Sequence, residues 1–435
     1  MTSTPGEAGA LVALVALAVI ALASSTASSI PSALAADTEH TSSSEYAVAR
    51  EAVILAVLDD NRDLASARST WEASRQQPTQ ARALPDPTLT WSLAPGSLGS
   101  TDVAAGHRVE LRQALPFPGS LAPRAEAAAA HAEAIGGDLD ALRRWLALEA
   151  AGLFDELAQI DASLVLLGDH ALLLEDLQAS AEARYAAARS GAQDPLQAEV
   201  ELAHVEHRVV VLGADRRVAA ARLSALLHGP ADAPAEVPTL LVPPWPPAPP
   251  PERRPELLAA EARERAAAQT VTAERRGALP DLAVMGSYNS MWMAPQHQWM
   301  VGIGVELPVQ VAGRRAEIRE AEALAQAATA SREALEDELA ADLEQAQARF
   351  AEALHVVALY DERLLPTART RVEVARAAFE AGSEDFDTLI DAERGLREDE
   401  LGRVSAVAQA WTRHAELRLA SGLLPLSTDP SKVTP

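Results

Sequence analysis

Four acidic side chains crowd one short stretch near the C-terminal end of the chain: Glu384, Asp385, Asp387 and Asp391. Grouped carboxylates attract cations and repel anions, which is how acidic side chains act in ion-conducting pores. Acidic residues also favour the positively polarised N-terminus of a helix, so a solvated helix start explains the same stretch. The sequence predicts a charged surface here and leaves both interpretations open.

A second group contains side chains that can ligate a soft metal ion. Four of the five methionines fall within residues 285–300, where Met291, Met293 and His297 are close together in the sequence. Thioether and imidazole groups suit Cu(I) or Ag(I). Ordinary packing of a loop accounts for the same residues, so these three are candidates only and no metal ion is assigned to them.

A third group, Glu201, His204 and His207, is spaced along one side of a predicted helix. Zinc sites can be built at this spacing, although solvated helix residues are far commoner. The chain contains no H-E-x-x-H, P-loop or G-x-S-x-G motif, and Gly302-x-Gly304 lacks the third glycine of a dinucleotide fingerprint. We therefore predict no cofactor and no enzymatic activity.

The composition excludes several classes of protein. With no cysteine, the chain has no disulfide, no cysteine-ligated zinc, no thiol catalysis and no acylated N-terminal cysteine. Its 62 acidic residues outnumber 37 basic ones, giving a net charge of −25, so nucleic-acid binding is not expected. Abundant alanine and leucine with only 4% aromatic residues favour long helices.

Two copies of one sequence pattern position these groups. Leu84-Pro85-Asp86 recurs 195 residues later as Leu279-Pro280-Asp281, and Gly191 is followed 191 residues later by Gly382. Each copy predicts a helix, two short strands, a very long helix, a glycine turn and a return helix. The predicted helices span 45–82, 120–190 and 195–228, and then 256–278, 314–381 and 385–420.

Two details refine the helical prediction. Apolar residues, mostly leucine, repeat at heptad spacing with one stutter from Leu139 to Leu174 in the first long helix, which is typical of a coiled coil. Pro366 predicts a kink or a local bend in the second long helix. A proline-rich connector joins the copies and is predicted to be an extended strap on the surface.

The four predicted strands alternate apolar with polar residues, and the polar faces carry charges. This suits a barrel with lipid outside and water inside, although a soluble sheet packed on a helix shows the same alternation. A signal peptide and the flanking helices favour the barrel. The predicted lipid-facing residues are Leu89, Trp91, Trp299 and Ile303.

Four strands per chain are too few to close a barrel, which needs about eight. Because open sheet edges do not occur within lipid, several copies of the chain must each donate two hairpins. The sequence therefore predicts an oligomer.

The N-terminal segment predicts export. An apolar run from Leu11 to Ala23 is followed by Ala33-Leu34-Ala35, an A-x-A cleavage pattern, so residues 1–36 are predicted to be a signal peptide. The segment before the run lacks Lys and Arg, and a buried core helix is the alternative. No later run is continuously apolar for 18 residues, so no transmembrane helix is predicted.

With these features the chain resembles the TolC family of outer-membrane efflux channels, including the branch that exports heavy metals. The resemblance covers about residues 44–424. It rests on Leu84-Pro85-Asp86-Pro87, on residues 113–119, on the two helix–glycine–helix tips and above all on the duplicated layout.

The resemblance implies a mainly α fold with a small β part. A homotrimer would form a twelve-stranded β-barrel in the outer membrane and a long α-barrel in the periplasm, from four strands and duplicated long-helix hairpins per chain. It implies partners too: outer-membrane lipid, a periplasmic adaptor protein and an inner-membrane pump of the RND or ABC type. Gly191 and Gly382 would mark hairpin tips that face the adaptor.

The resemblance also implies that the second hairpin tip narrows the periplasmic entrance. Matching from Gly382, one of the two aspartates of the family's gate falls on Asp391. The other gate position is Thr388 here, with Asp387 beside it, and a basic tip residue of some members is Glu384. We therefore expect Asp391, Asp387, Glu384 and Asp385 to line the entrance.

The predicted organisation is a signal peptide (1–36), a first repeat (37–229), a proline-rich connector (230–255), a second repeat (256–424) and a flexible tail (425–435). The predicted function is a passive exit duct for small molecules or metal cations. Two alternatives remain open from the sequence: a duct for type I protein secretion, and a soluble periplasmic coiled-coil scaffold.

Overall fold

The computed structural model describes residues 36–97, 105–188, 191–229, 240–246 and 254–423, without the side chains of residues 36–44. The predicted signal peptide, apart from Ala36, and the predicted tail lie outside the described residues. Within them the architecture is mainly helical, with four strands in one sheet, as the sequence predicts.

The first repeat begins with three helices instead of the single predicted helix 45–82. The backbone breaks at Asn61, whose side chain accepts hydrogen bonds from the amides of Asp63 and Leu64 and so starts a new helix. The single-helix prediction was wrong because an N-cap residue lies inside the helical pattern. The elements are α1 (Ala36–Asp60), α2 (Arg62–Ser74), α3 (Gln77–Arg82), β1 (Thr88–Leu93), β2 (His107–Leu115), α4 (Leu121–Ala186) and α5 (Gln193–Leu227).

The second repeat follows the same order with one interruption. A five-residue π turn, Tyr360–Leu364, divides its long helix just before Pro366, where the sequence predicts a kink or bend. The elements are α6 (Pro255–Gly277), β3 (Asp281–Asn289), β4 (Trp299–Glu306), α7 (Val311–Leu359), α8 (Leu365–Ala381) and α9 (Phe386–Ala420).

The strands form one antiparallel sheet in the order β1-β2-β3-β4. Strands β2 and β3 come from different repeats, and Val109 pairs with Tyr288 across their junction. The register is continuous across all four strands, since Trp91 pairs with Val109 and Tyr288 pairs with Trp299. The sheet therefore joins the two repeats at the end opposite the hairpin tips.

Helix α4 is the central element of the helical part. Its buried leucines include Leu139, Leu146, Leu153 and Leu174, which follow the predicted heptad seam. By length and composition alone, α4 passes as a membrane-crossing helix, which the sequence does not predict. Its apolar positions pack against α1, α2 and α5, so we interpret it as a core helix.

A buried group, here called the belt cluster, ties the repeats together midway along the helices. It consists of Tyr46, Arg50, Asp155 and Trp411. Asp155 accepts hydrogen bonds from the Tyr46 hydroxyl (2.8 Å) and from two nitrogens of Arg50 (2.7 and 2.8 Å). Burial alone would lower the pKa of Arg50, but the facing Asp155 carboxylate raises it above its ordinary value. The pair is therefore a fixed charge pair inside the helical bundle.

The described part of the proline-rich connector, residues 240–246, is non-helical and packs over this cluster. The Trp411 indole donates a hydrogen bond to the Leu241 carbonyl (2.5 Å). The Trp245 and Phe350 rings are in tilted contact, with their centroids 5.1 Å apart. These residues therefore contact the helices of the second repeat, while the strap as a whole stays a prediction because residues 230–239 and 247–253 lie outside the described residues.

Candidate functional site

The sheet has one apolar and one charged face. Cross-strand register brings the predicted lipid-facing residues onto the same face, since Trp91 and Trp299 both lie in the row that passes through Val109 and Tyr288. The four side chains are strongly exposed: Leu89 (68%), Trp91 (67%), Trp299 (73%) and Ile303 (77%). Within the part of the chain described, nothing covers this apolar surface.

The opposite face carries charge. Arg108 forms an ion pair with Glu110 on the same strand, and Arg112 lies 3.9 Å from the Glu306 carboxylate on β4. Asp281 is directly opposite Glu306 in the register, and its carboxylate accepts a hydrogen bond from the Phe117 amide (2.7 Å). A surface with lipid-compatible residues on one side and paired charges on the other is typical of a water-filled barrel wall.

The loop between β3 and β4 does not gather the candidate metal ligands into a common contact. Met291 packs where a side chain on Gly106 would otherwise lie. Met293 is 97% exposed. The His297 ring lies against Trp292, with centroids 6.3 Å apart. Each candidate thus has a separate environment, and metal binding at this loop stays a prediction.

The two hairpin tips lie at the other end of the molecule. Gly382 ends α8 in the left-handed conformation, with φ of 73°, which favours glycine. The Ser383 amide then bonds to the Ala378 carbonyl (3.0 Å), closing a Schellman turn. At the first tip Gly191 lies in the turn before α5, but Ala188 and not Gly191 has the positive φ there, at 53°.

The acidic stretch begins α9, as a helix-start interpretation requires. Asp385 is the N-cap residue, yet its side chain makes no capping hydrogen bond. Glu384 accepts a hydrogen bond from the Thr388 hydroxyl (3.3 Å), and Asp387 is exposed. Asp391 is different, because its carboxylate pairs with Arg394 one turn later at 2.8 Å. The expected all-acidic surface therefore contains a paired cation.

Arg394 also reaches across to the first repeat. It forms an ion pair with Glu201 on α5, whose second oxygen lies 3.2 Å from Arg397. We call Glu201, Asp391, Arg394 and Arg397 the tip network. Burial alone would raise the pKa of Glu201, but hydrogen bonds from Arg394 and Arg397 lower it below its ordinary value. Glu201 therefore holds the two hairpins together as a carboxylate.

This geometry corrects the zinc interpretation of Glu201, His204 and His207. Glu201 points into the ion pairs, whereas both histidines are exposed. Across the described residues, no group of three or more His, Asp or Glu side chains is placed to hold a metal ion. The helix spacing was compatible with zinc, but the partners of Glu201 come from the other repeat.

A second contact joins the tips. The Arg184 guanidinium lies 4.1 Å from the centroid of the Phe379 ring and donates to the Phe379 carbonyl (3.1 Å). Phe379 in turn packs against Phe386, with centroids 5.4 Å apart. The aromatic pair and its arginine hold the end of α8 against the end of α4.

Sequence reasoning missed Arg394, Arg397 and Arg184, although a signal for them exists. Glu201 and Arg394 are 193 residues apart, and Arg184 and Phe379 are 195 apart. These separations match the repeat spacing, so equivalent positions of the two copies meet side by side at the tips. Comparing the copies position by position would have paired these residues.

Comparisons with known proteins agree with this arrangement. The family model described as outer membrane efflux protein matches residues 251–423, which include the second repeat. A comparison with curated proteins finds no match.

Solved structures extend the likeness to both repeats. The outer-membrane channel OprN is similar with a TM-score of 0.75 and 21% identity, over 86% of this chain and 89% of OprN. VceC of Vibrio cholerae has a TM-score of 0.74 and 18% identity, over 86% of this chain and 96% of VceC. The open MtrE channel of Neisseria gonorrhoeae has a TM-score of 0.67 and 21% identity, over 86% and 88%.

The fold is that of outer-membrane efflux channels, as the resemblance predicted. The match to the outer membrane efflux protein family covers residues 251–423, and the likeness of fold to solved channels covers both repeats. That family and this fold are those of channel proteins and not of enzymes.

Proposed function

We propose that three copies of this chain form the outer-membrane channel of a tripartite efflux system, with a large periplasmic extension. The channel is a passive exit duct. An inner-membrane pump of the RND or ABC type drives small molecules or metal cations into it through a periplasmic adaptor. The family match supports an efflux channel, and the number of copies and the two partners follow from the resemblance.

The observation that carries the proposal is the amphipathic sheet with its two open edges. Strands β1 and β4 lie at the ends of the sheet, so each leaves one backbone edge unpaired within the described chain. Unpaired backbone groups cost several kcal/mol each in lipid, so edges of neighbouring copies must pair. Because the two edge strands differ, β1 of one copy pairs with β4 of the next copy. This head-to-tail pairing closes a ring.

In this ring the apolar face carrying Leu89, Trp91, Trp299 and Ile303 contacts lipid, and the face with Arg112 and Glu306 lines the water-filled interior. Tryptophans suit the boundary between lipid and water. A soluble scaffold offers no reason to leave such a continuous apolar face uncovered.

The tip network is proposed to control the periplasmic entrance. Asp391 and Arg394 would lie at the constriction, with Asp387, Glu384 and Asp385 on the surrounding rim. Glu201 on the first hairpin forms an ion pair with Arg394 on the second. The entrance therefore widens only when this ion pair breaks. The turns at Gly191 and Gly382 would meet the adaptor.

Substitution of Ile303 by arginine tests the membrane assignment. On the lipid face, arginine near the middle of the bilayer costs about 2–4 kcal/mol, so Ile303→Arg should strongly reduce the amount of trimer in the outer-membrane fraction. The matched control is Met300→Arg, three residues away on the opposite face of the same strand. It should assemble nearly as well as wild type.

Fractionation followed by gel filtration in detergent measures both variants. If Ile303→Arg assembles as well as Met300→Arg, Ile303 does not face lipid and the barrel assignment fails.

A further inference from the structure

The two repeats differ most in their long helices. Helix α4 runs for 66 residues without a break, whereas its counterpart is divided by the π turn Tyr360–Leu364. In that turn the Leu365 amide bonds to the Tyr360 carbonyl, five residues back. Pro366 follows and has no amide hydrogen to donate, and its ring would clash with the Glu362 carbonyl of a regular helix. The wider turn relieves this clash.

The π turn lies between two hydrophobic cores. On one side, Val357 and Tyr360 pack into the core around Trp411. On the other side, the core of the hairpin tips begins at Val372. Between them, residues 361–364 are exposed. Segments with few buried apolar contacts open at low free-energy cost.

Ion pairs replace apolar packing at this level. Asp361 pairs with Arg403 on α9 at 2.5 Å, and both side chains are about one-third exposed. Glu400 on α9 lies at hydrogen-bonding distance (2.9 Å) from His170 on α4 and forms an ion pair with Arg369 on α8 at 3.3 Å. A partly exposed pair such as Asp361–Arg403 contributes only about 0–1 kcal/mol, so it can separate as the helices shift.

Gly402 on α9 allows the two helices of this hairpin to touch beside the turn. A β-carbon at Gly402 would lie 2.8 Å from Cζ and 2.9 Å from Cε1 of Tyr360. The tyrosine ring therefore rests directly on the backbone of α9. The close contact between Tyr360 and α9 therefore lies at the turn where the backbone hydrogen bonding of the long helix is irregular.

We propose that the π turn is the hinge about which the tip of the second hairpin bends when the entrance opens. The inference rests on the proposed function for its consequence, because the moving part carries Asp391 and Arg394. The part on the other side of the hinge, anchored by the belt cluster, stays in place. In its described residues the first hairpin has no such turn, since both α4 and α5 are continuous α-helices.

Deletion of Glu362 combined with Pro366→Ala tests the hinge. A π turn holds one residue more than the equivalent α-helical stretch, and the substitution removes the ring that would clash in a regular helix. This deletion variant therefore restores a regular helix and keeps both flanking faces in register. The matched control is Glu362→Ala with Pro366→Ala, which changes the same two side chains without changing the length. Both proteins are reconstituted as trimers in planar lipid bilayers.

We expect the deletion to lower the frequency of channel opening at least tenfold, with the conductance of the open channel unchanged. The control with Glu362→Ala and Pro366→Ala should open like wild type. Gly402→Ala, which wedges Tyr360 away from α9, should also reduce opening, whereas Gly395→Ala on the same helix should not. Opening at wild-type frequency in trimeric deletion and Gly402→Ala variants overturns the hinge. If the deletion variant does not assemble, Gly402→Ala decides alone.

Amide hydrogen exchange separates failure of the hinge from failure of the proposed function. In wild type, amides of residues 360–365 should exchange at least ten times faster than those of residues 346–357, whether or not the protein conducts. If they exchange equally slowly, the hinge is wrong. If these amides exchange fast but the wild-type protein forms no channel, the proposed function is wrong and the hinge at the π turn is still supported.

Discussion

The belt cluster and the tip network both place charged side chains between the two repeats, but they differ in their contact with water. In the belt cluster the side chains of Arg50 and Asp155 are only 5% and 1% exposed. In the tip network Glu201 is 5% exposed, while Arg394 and Asp391 are 39% and 54% exposed. The belt pair is sealed within the protein. In the tip network Arg394 and Asp391 open to solvent, whereas Glu201 and Arg397 (12% exposed) do not.

Because of this difference, the belt cluster holds the two repeats together permanently, whereas the ion pairs of the tip network can break. Breaking a buried ion pair leaves an uncompensated charge in a poorly solvated site, which costs several kcal/mol. At the tip, water can solvate Arg394 and Asp391 once they separate, so the pair is held weakly. The molecule is therefore expected to move at its tips around a rigid middle.

The largest effect is expected in the belt cluster. Asp155→Ala leaves the Arg50 guanidinium buried beside Trp411 without its carboxylate, and should destabilise the protein by about 3–5 kcal/mol. A large drop in the midpoint of thermal unfolding of the solubilised protein would report this loss.

The matched control is an exposed ion pair on the same long helix. Asp138 pairs with Arg263, and both side chains are about half exposed. Asp138→Ala should change stability by at most about 1 kcal/mol. Equal effects of the two substitutions would contradict the contrast between sealed and solvated pairs.

An intermediate effect is expected for Glu201→Gln. The amide cannot pair ionically with Arg394 and Arg397, so the hairpins should separate more readily, by about 1–2 kcal/mol. Channel opening should then rise about tenfold in planar bilayers. Glu199→Gln, an exposed change on the same helix, should open like wild type.

Lowering the pH should increase channel opening in the same way as Glu201→Gln. The folded-state pKa of Glu201 lies below its ordinary value of 4.5, so its contribution is complete above that pH. The contribution is lost as the pH falls through the lowered pKa. Wild-type opening should therefore increase below about pH 4.5, and Glu201→Gln should lack this component. Identical pH profiles of wild type and Glu201→Gln would show that the ion pairs of Glu201 do not hold the hairpins together.

The smallest effect is expected for Asp391→Asn. The substitution removes a negative charge from the proposed constriction, so anion conductance should rise and block by multivalent cations should weaken. Because Glu201 still holds Arg394, the change should stay within about twofold. Single-channel recordings measure both properties, and no change in either would exclude Asp391 from the constriction.

The sequence predicts the architecture well because the signals for it are repeated and long. Heptad leucines define α4, period-two alternation defines the four strands, and the duplication gives their order. The break at Asn61 was missed because a single capping side chain competes with an otherwise continuous helical pattern. The π turn was predicted only as a bend at Pro366, since hydrogen-bond register is not visible in residue types.

The tip was predicted less completely than the fold. Acidic residues are easily recognised in a run, so Asp391 was named as a candidate, but its cation Arg394 and the buried Glu201 come together only through tertiary packing. Local charge counting treats each helix alone, whereas the network is made by equivalent positions of two distant copies.

The most direct test of the account is the mass of the native protein extracted from the outer membrane. Native mass spectrometry of the solubilised, untagged wild-type protein should give three times the mass of the mature chain. Recovery of the protein as a monomer from the soluble periplasm would contradict the channel, the closed barrel and the shared entrance together.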